Sequence, residues 1–511
     1  IGSFALQKTT SATGNVAICN YALKTNVDGD GNIGIGNQAL EDFEATTDGD
    51  GKNVAIGHLA SKEMTTGQRN TFIGYMSNST GITTGLGANV GVGYLTGQDV
   101  TSAAGCVLIG NNAGLQITEG NYNTCIGGDS GKVLTTELQN TLVGRATGSH
   151  LTASYNTFLG DSAGYEVSTG AGNTFIGYAA GYGQDGAATT GGYNTAVGYQ
   201  AGADLQGAAH ENSILGMRAA YELKTGSDNV AIGKEAMKSA DNDESRNVAI
   251  GHSALEDMDG DTANTYNTAI GYKAGANLTT GIFNTLVGSD AGGDGTMTGD
   301  ENVCVGRDSG LDLTAGYNTF IGSQAGAAVT SGTNNVLIEN NVAASAVDVT
   351  YEIAVGAGVD ANNAFTGAGT ETCRIGRASD YITVDFGENA TWAHSSDVRI
   401  KKDISDNELG LDFINELRTV NYKKKAPSEY PKEFKGYDAN QTERKNPDRV
   451  HYGFIAQEVK EAMDKIGHSN FPMWSENEDG MQELAEAELI APLVKAIQEL
   501  TARVKELENK E

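Results

Sequence analysis

Ser396 and Lys401 lie in the run Ser395-Ser396-Asp397-Val398-Arg399-Ile400-Lys401-Lys402, and their types are those of a nucleophile and a base. A serine hydroxyl attacks a carbonyl only when a base takes its proton. Lysine can be that base only if burial or a nearby cation lowers its pKa from about 10.4. Arg399 and Lys402 place positive charge close by. A separation of five residues sets Ser396 and Lys401 on different faces of a straight helix or a straight strand, so a turn must bring them together. Lys402 lies in phase with Ser396 along a strand and is a rival base. By spacing alone, Ser-x4-Lys describes a solvated charge cluster more often than a dyad.

The same run is a border in composition. All five prolines (427, 431, 447, 472 and 492) follow Ser396, whereas about 64 of the 69 glycines precede it. Glycine this frequent, without a triplet period and without proline, is not collagen. The 39 % of hydrophobic residues argues against simple disorder. Net charge is −31, and the part before Ser396 holds most of the excess acid. Such a surface excludes nucleic acid as a partner and suits a soluble extracellular object. No run of apolar residues is long enough to span a membrane. Five cysteines without a CxxC pair argue against a disulfide framework or a metal site, and Cys106, Cys125 and Cys304 fall at apolar repeat positions.

What positions the serine–lysine run is a long series of repeats. The pattern is Asn-[Thr/Val/Ser]-x-[Ile/Val/Leu]-Gly, often followed by x-x-Ala-Gly. Clear copies are Asn53-Val-Ala-Ile-Gly57, Asn70-Thr-Phe-Ile-Gly74, Asn173-Thr-Phe-Ile-Gly177, Asn247-Val-Ala-Ile-Gly251 and Asn318-Thr-Phe-Ile-Gly322. About 19 copies recur every 16–21 residues or so. One copy is a short strand ended by glycine, too small to bury a face alone, so successive copies must stack. Seventeen residues or so leave no room for a crossover helix, and the unit expected is one turn of a parallel β-coil. At about 4.8 Å per rung the stack predicts a rod on the order of 90 Å. The repeated asparagine is expected either to tolerate left-handed backbone or to hydrogen-bond along a ladder of its equivalents.

Inserts at Thr46–Lys52, Gly181–Tyr193 and Met258–Tyr266 would be displayed as side loops, where recognition concentrates. Asp28-Gly-Asp30-Gly-Asn32 and Asp48-Gly-Asp50-Gly have the alternating acids of a calcium loop but lack its closing glutamate, and Asp-Gly turn chemistry accounts for them. No metal or cofactor is expected. Tyr75, Tyr94, Tyr178, Tyr199 and Tyr272 could stack on sugars; sharing one repeat position, they read first as a structural ladder.

After Ser396 the pattern turns helical. Leu411, Ile414 and Leu417 share one face, as do Ile455, Val459, Met463 and Ile466, with Gly467 as a stop. Residues 421–449 read as a loop excursion. A last helix, about 481–511, carries Ile490, Ile497 and Val504 at one heptad position and Leu493, Leu500 and Leu507 at another, a coiled-coil seam restarted at Pro492. Taken alone, that seam favours two strands.

Two resemblances follow from these motifs. The Asn-Val-Ala-Ile-Gly-x-x-Ala repeats resemble the left-handed parallel β-roll heads of trimeric autotransporter adhesins, and the Asn-Thr-Phe-Ile-Gly-x-x-Ala-Gly variant resembles repeats of phage tail fibres. Ser396–Ile404, His451-Tyr-Gly-Phe-Ile-Ala-Gln-Glu-Val459 and Leu489-Ile-Ala-Pro-Leu-Val-Lys-Ala-Ile-Gln-Glu-Leu500 resemble the endosialidase-type intramolecular chaperone that ends many tail fibres and tailspikes. That resemblance implies a homotrimer, cleavage between Ser395 and Ser396, Ser396 as nucleophile and Lys401 as base.

The fold expected is therefore mainly β: a repetitive parallel β-helix or β-roll fibre over 1–340, a β-rich transition over 341–395, and a smaller α+β chaperone domain over 396–511 ending in a coiled coil. The function expected is a tail-fibre protein of the virion that binds a host cell-surface glycan or protein receptor. It would join other virion tail proteins through a segment upstream of Ile1. The alternatives are a polysaccharide-depolymerising tailspike and a bacterial trimeric surface adhesin. The first would need a convergent carboxylate pair and more aromatic platform than Trp392, Trp474 and the repeated tyrosines supply.

Overall fold

The computed structural model describes residues 1–45, 50–80, 87–183, 188–240, 244–258, 265–358, 364–377, 380–386, 389–394, 398, 401–434, 437–444, 447–477 and 480–510. The chain divides into two compact units, Ile1–Ser395 and Ser396–Glu511.

In the first unit the repeats form a parallel β-solenoid, as their period predicts. Among the described residues nineteen three-residue strands run from β1 (Val16–Ile18) to β19 (Val336–Ile338), each paired in parallel with the next. Register is strict: β3 (Val54–Ile56) sets Val54, Ala55 and Ile56 beside Thr71, Phe72 and Ile73 of β4 (Thr71–Ile73). Side chains alternate across so short a strand. The middle residue therefore points inward, and Ala55, Phe72, Leu108, Phe158, Leu286 and Phe320 are fully buried. The first and third residues point outward and stay partly exposed.

The asparagines form the expected ladder. The side-chain Oδ1 accepts the backbone N–H of the residue at the same position one turn on, as from Asn70 to Asn53 (2.9 Å) and from Asn194 to Asn173 (2.9 Å). In many turns the Nδ2 reaches a loop carbonyl about fourteen residues ahead, as from Asn53 to Gly67 (2.7 Å) and from Asn212 to Gly226 (2.8 Å). The buried side-chain amides of the ladder are thus paired from turn to turn. The asparagines themselves are not left-handed. The residue before each one is, with φ of 61° at Lys52, 59° at Tyr122 and 62° at Tyr193. The repeat glycine lets adjacent turns approach closely. Gly74 sits at φ 141°, and a Cβ there would lie 2.0 Å from the Gly93 carbonyl oxygen.

The ladder ends at Glu352, which is fully buried. Its N–H donates to Asn335 (2.9 Å), and its carboxylate accepts the N–H groups of Ser345 (2.9 Å) and Gly369 (2.6 Å). Beyond β20 (Val342–Ala343), β21 (Ile353–Ala357) and β22 (Phe365–Thr366), the sheet continues in parallel to β23 (Thr372–Arg377). It then turns antiparallel through β24 (Asp380–Asp385) and β25 (Asn389–His394).

The second unit is α+β. Helix α1 (Leu411–Glu416) and α2 (Ala456–Lys465) pack Phe413, Val459, Ala462 and Met463 into one core with Leu409, Met473 and Leu489. Two small antiparallel pairings occur, β26 (Val420–Tyr422) with β27 (His451–Gly453) and β28 (Trp474–Glu476) with β29 (Gln482–Leu484); Asn421 and Tyr422 fall in the expected loop and β29 in the expected helix. The last helix, α3, accordingly spans Ile490–Glu508 rather than starting near 481. Pro492 falls in its first turn, where its missing N–H leaves no intrahelical bond unmade, so no restart is needed.

Candidate functional site

Ser395 and Ser396 lie outside the described residues. Both candidate bases are described: Lys401 and Lys402 are exposed. The Lys401 N–H donates to the Val398 carbonyl (3.2 Å). Asp403, two residues on, has φ 56°.

Downstream, the His451–Val459 motif spans β27, a short link and the start of α2. Strand pairing sets His451 against Tyr422, ring centroids 5.4 Å apart. Desolvation and then the positive charges of Arg449, Lys424 and Arg444 hold its imidazole below the usual histidine range. Arg418, just before β26, donates to Glu458 of α2 and ties the two elements together.

Helix α3 is packed on one side only. Pro492 and Ala496 are buried, and the Glu499 carboxylate accepts the Leu411 N–H at the start of α1 (2.8 Å). Its heptad seam faces away from this packing: Ile497 is 63 % exposed, Leu500 51 % and Leu507 66 %. The seam is apolar surface that its own unit leaves bare.

Along the solenoid, the tyrosines after the repeat glycine stack in pairs where they fall on adjacent turns, rather than as one ladder. Tyr75 stacks on Tyr94 (5.6 Å) and Tyr178 on Tyr199 (5.3 Å), with rings nearly parallel. A second column, five residues after the repeat glycine, stacks Tyr165 on Tyr182 (5.2 Å). Counting from the glycine would have found that column; reading only Gly-Tyr steps passes over it.

The acids of Asp28-Gly-Asp30 are engaged within the stack. Asp28 accepts from the Ser11 hydroxyl, and Asp30 from the Thr13 N–H and hydroxyl. Asp48 and Gly49 lie outside the described residues, as do the centres of the three inserts. All five cysteines are free thiols. Burial pushes the Cys125 thiol up, and Cys304 to about 12.

Residues 396–468 match the family model described as chaperone of endosialidase. The second unit carries an endosialidase-type chaperone domain. The match covers the serine–lysine run, α1, the β26–β27 pair and α2. Downstream of the matched residues, the unit continues through β28, β29 and α3. Comparison of the chain with curated proteins and with solved structures gave no match. No helix among the described residues is long and apolar enough to cross a membrane.

Proposed function

We propose that the chain is a phage tail-fibre protein, structural and receptor-binding, whose chaperone domain assembles it as a homotrimer and then releases itself. The observation that carries this reading is the union, in one chain, of a β-solenoid with a chaperone-of-endosialidase domain. Two apolar surfaces support the trimer. One is the bare seam of α3. The other is the third position of the solenoid strands, Ile56, Ile73, Val92, Ile109 and their successors, an aliphatic row that points outward turn after turn. Continuous exposed apolar area of this kind marks a surface that another chain covers. The partners outside the trimer are a host cell-surface glycan or protein receptor and other tail proteins of the virion.

Release is cleavage between Ser395 and Ser396. The Ser396 hydroxyl attacks the Ser395 carbonyl while the Lys401 amine takes its proton. The amide C–N bond gives way to an ester, and water hydrolyses that ester to a Ser395 carboxylate and a free Ser396 amine. The test is to express the chain, weigh the product by sedimentation and sequence the amino terminus of any small fragment. Trimers with a fragment beginning at Ser396 are expected, and none from Ser396→Ala or Lys401→Ala. Cleavage blocked by Lys402→Ala and not by Lys401→Ala would reassign the base. Stable wild-type trimers that stay whole would remove the cleavage step, and a monomeric product would overturn the fibre reading.

A further inference from the structure

Three successive turns of the solenoid share a local peculiarity. At the second position after the repeat glycine they carry Ala146, Ser162 and Ala179, the smallest run in that column, where other turns place Met76, Leu95, Gln200 or Arg218. Neighbouring strands are in register, so these three side chains lie one above another and leave a trough over two rung spacings, roughly 10 Å. Its volume is about 510 Å³, within the range of small-ligand sites.

The walls of the trough are aromatic. Tyr165, Tyr178 and Tyr182 line it. Tyr178 is the first ring of its stack, about half exposed, and the residue directly below it is Asp161 rather than another ring. Tyr165 is likewise the first of its pair. His150 holds it, meeting its ring edge-on at 4.9 Å and its carbonyl oxygen at 3.0 Å. The charge in the trough is balanced. Arg145 grips Asp161 through two hydrogen bonds of 2.8 and 2.9 Å, and the Ser162 hydroxyl donates to the same carboxylate (2.8 Å). Gln200 adds a neutral amide at the upper end.

Aromatic faces beside hydroxyl, amide and carboxylate groups match the alternation of C–H faces and hydroxyls on a pyranose ring. A paired arginine offers no free cation to a carboxylated sugar, and the surrounding chain is strongly acidic. We propose that this trough binds a neutral oligosaccharide segment of a cell-surface glycan, with a sugar ring on Tyr178 and its hydroxyls reaching Ser162 and Gln200. The assignment rests on the receptor-binding reading above and names its ligand class and its place.

The test uses the full chain against a panel of immobilised glycans, neutral and acidic, from mono- to tetrasaccharides. The wild type is expected to retain neutral oligosaccharides. Tyr178→Ala should weaken binding at least about tenfold, the size of a lost aromatic stacking contact. Ala179→Gln fills the trough with a side chain that the same column already carries at Gln38, Gln200 and Gln324, all at positive φ, so the fold accepts it. It should abolish binding. Tyr94→Ala, in the same tyrosine column but beside the large Leu95, should leave binding unchanged. Retention of acidic glycans only, no retention at all, or retention indifferent to Tyr178→Ala and Ala179→Gln would each overturn the trough as the site. The sedimentation mass of the same preparation separates the two failures. A trimer that ignores the panel sinks this proposal alone, whereas a monomer sinks the fibre reading beneath it.

Discussion

The Cys106 sulfur lies 3.2 Å from the Gly120 carbonyl oxygen, fourteen residues ahead. That is the contact an asparagine amide makes on other turns, as Asn89 does to Ala103 (2.8 Å). Cys106, expected at an apolar repeat position, stands instead where the repeat has asparagine. It receives the ladder from below through its own N–H to Asn89 (2.9 Å). Above, it offers the Asn123 N–H only a thiol sulfur, a weak acceptor. Cys106→Asn should restore an amide oxygen at that rung and raise stability by about 1 kcal/mol, read as a shift in the denaturation midpoint. An unchanged or lowered midpoint would show that the sulfur serves this rung as well as an amide.

Elsewhere the ladder should be costly to break. Asn247 accepts from the Asn267 N–H (2.9 Å) and the Thr265 hydroxyl (2.7 Å), all three residues being buried. Asn247→Ala leaves both donors without that acceptor, a loss of about 2–4 kcal/mol. Amide exchange at Asn267 should accelerate far more than at Asn70, many turns away, because each turn touches only its neighbours. Uniform acceleration along the solenoid would contradict that locality.

The thiols should divide by burial. Cys106, Cys125, Cys304 and Cys373 are buried, and burial holds each thiol above its usual pKa, so little thiolate forms near pH 8. Cys19 is exposed. A thiol-reactive chromophore should label one cysteine per native chain quickly and all five after denaturation. Fast labelling of two or more in the native protein would place another of them at the surface.

In the chaperone domain, acid should act through Glu458 and Asp464. The hydrogen bond from Arg418 holds Glu458 below its usual value near 4.5, and the hydrogen bond from Lys460 holds Asp464 below 3.8. A depressed carboxyl favours the folded state above its unfolded-state pKa, and the contribution is lost as pH falls through the lower folded-state value. Helical circular dichroism should therefore weaken below about pH 4, with a shallower acid limb in Glu458→Gln. An identical limb in that variant would mean the pair is screened to nothing by water.

The solenoid was legible because its key positions each do one thing. Asparagine builds the ladder, the glycine at φ 141° admits no Cβ, and the residue between them in the strand fills the core. The left-handed position before the asparagine was not legible, since it holds lysine, tyrosine or glutamine alike and leaves no compositional trace. In the second unit the face of α2 was plain from Val459 and Met463. The β26–β27 and β28–β29 pairs were not, being three residues long with charged or exposed side chains. Those strands displaced the expected start of the last helix. Lys401 and Lys402 were visible as bases, but one-dimensional spacing carries no information on which of them a turn would bring to Ser396.

The left-handed residues recur at three places in many turns, as at Leu59, Ser61 and Arg69. Each such residue costs on the order of 1 kcal/mol relative to an ordinary conformation. An isolated turn therefore opposes its own formation, and only a finished neighbour, supplying the rung hydrogen bonds and the buried face, makes the next turn favourable. The solenoid is in this respect a crystal in one dimension: growth on an existing rung is downhill, while the first rung is a nucleation barrier. A seed supplied from outside the repeats would decide when, and in what alignment, the solenoid begins to grow.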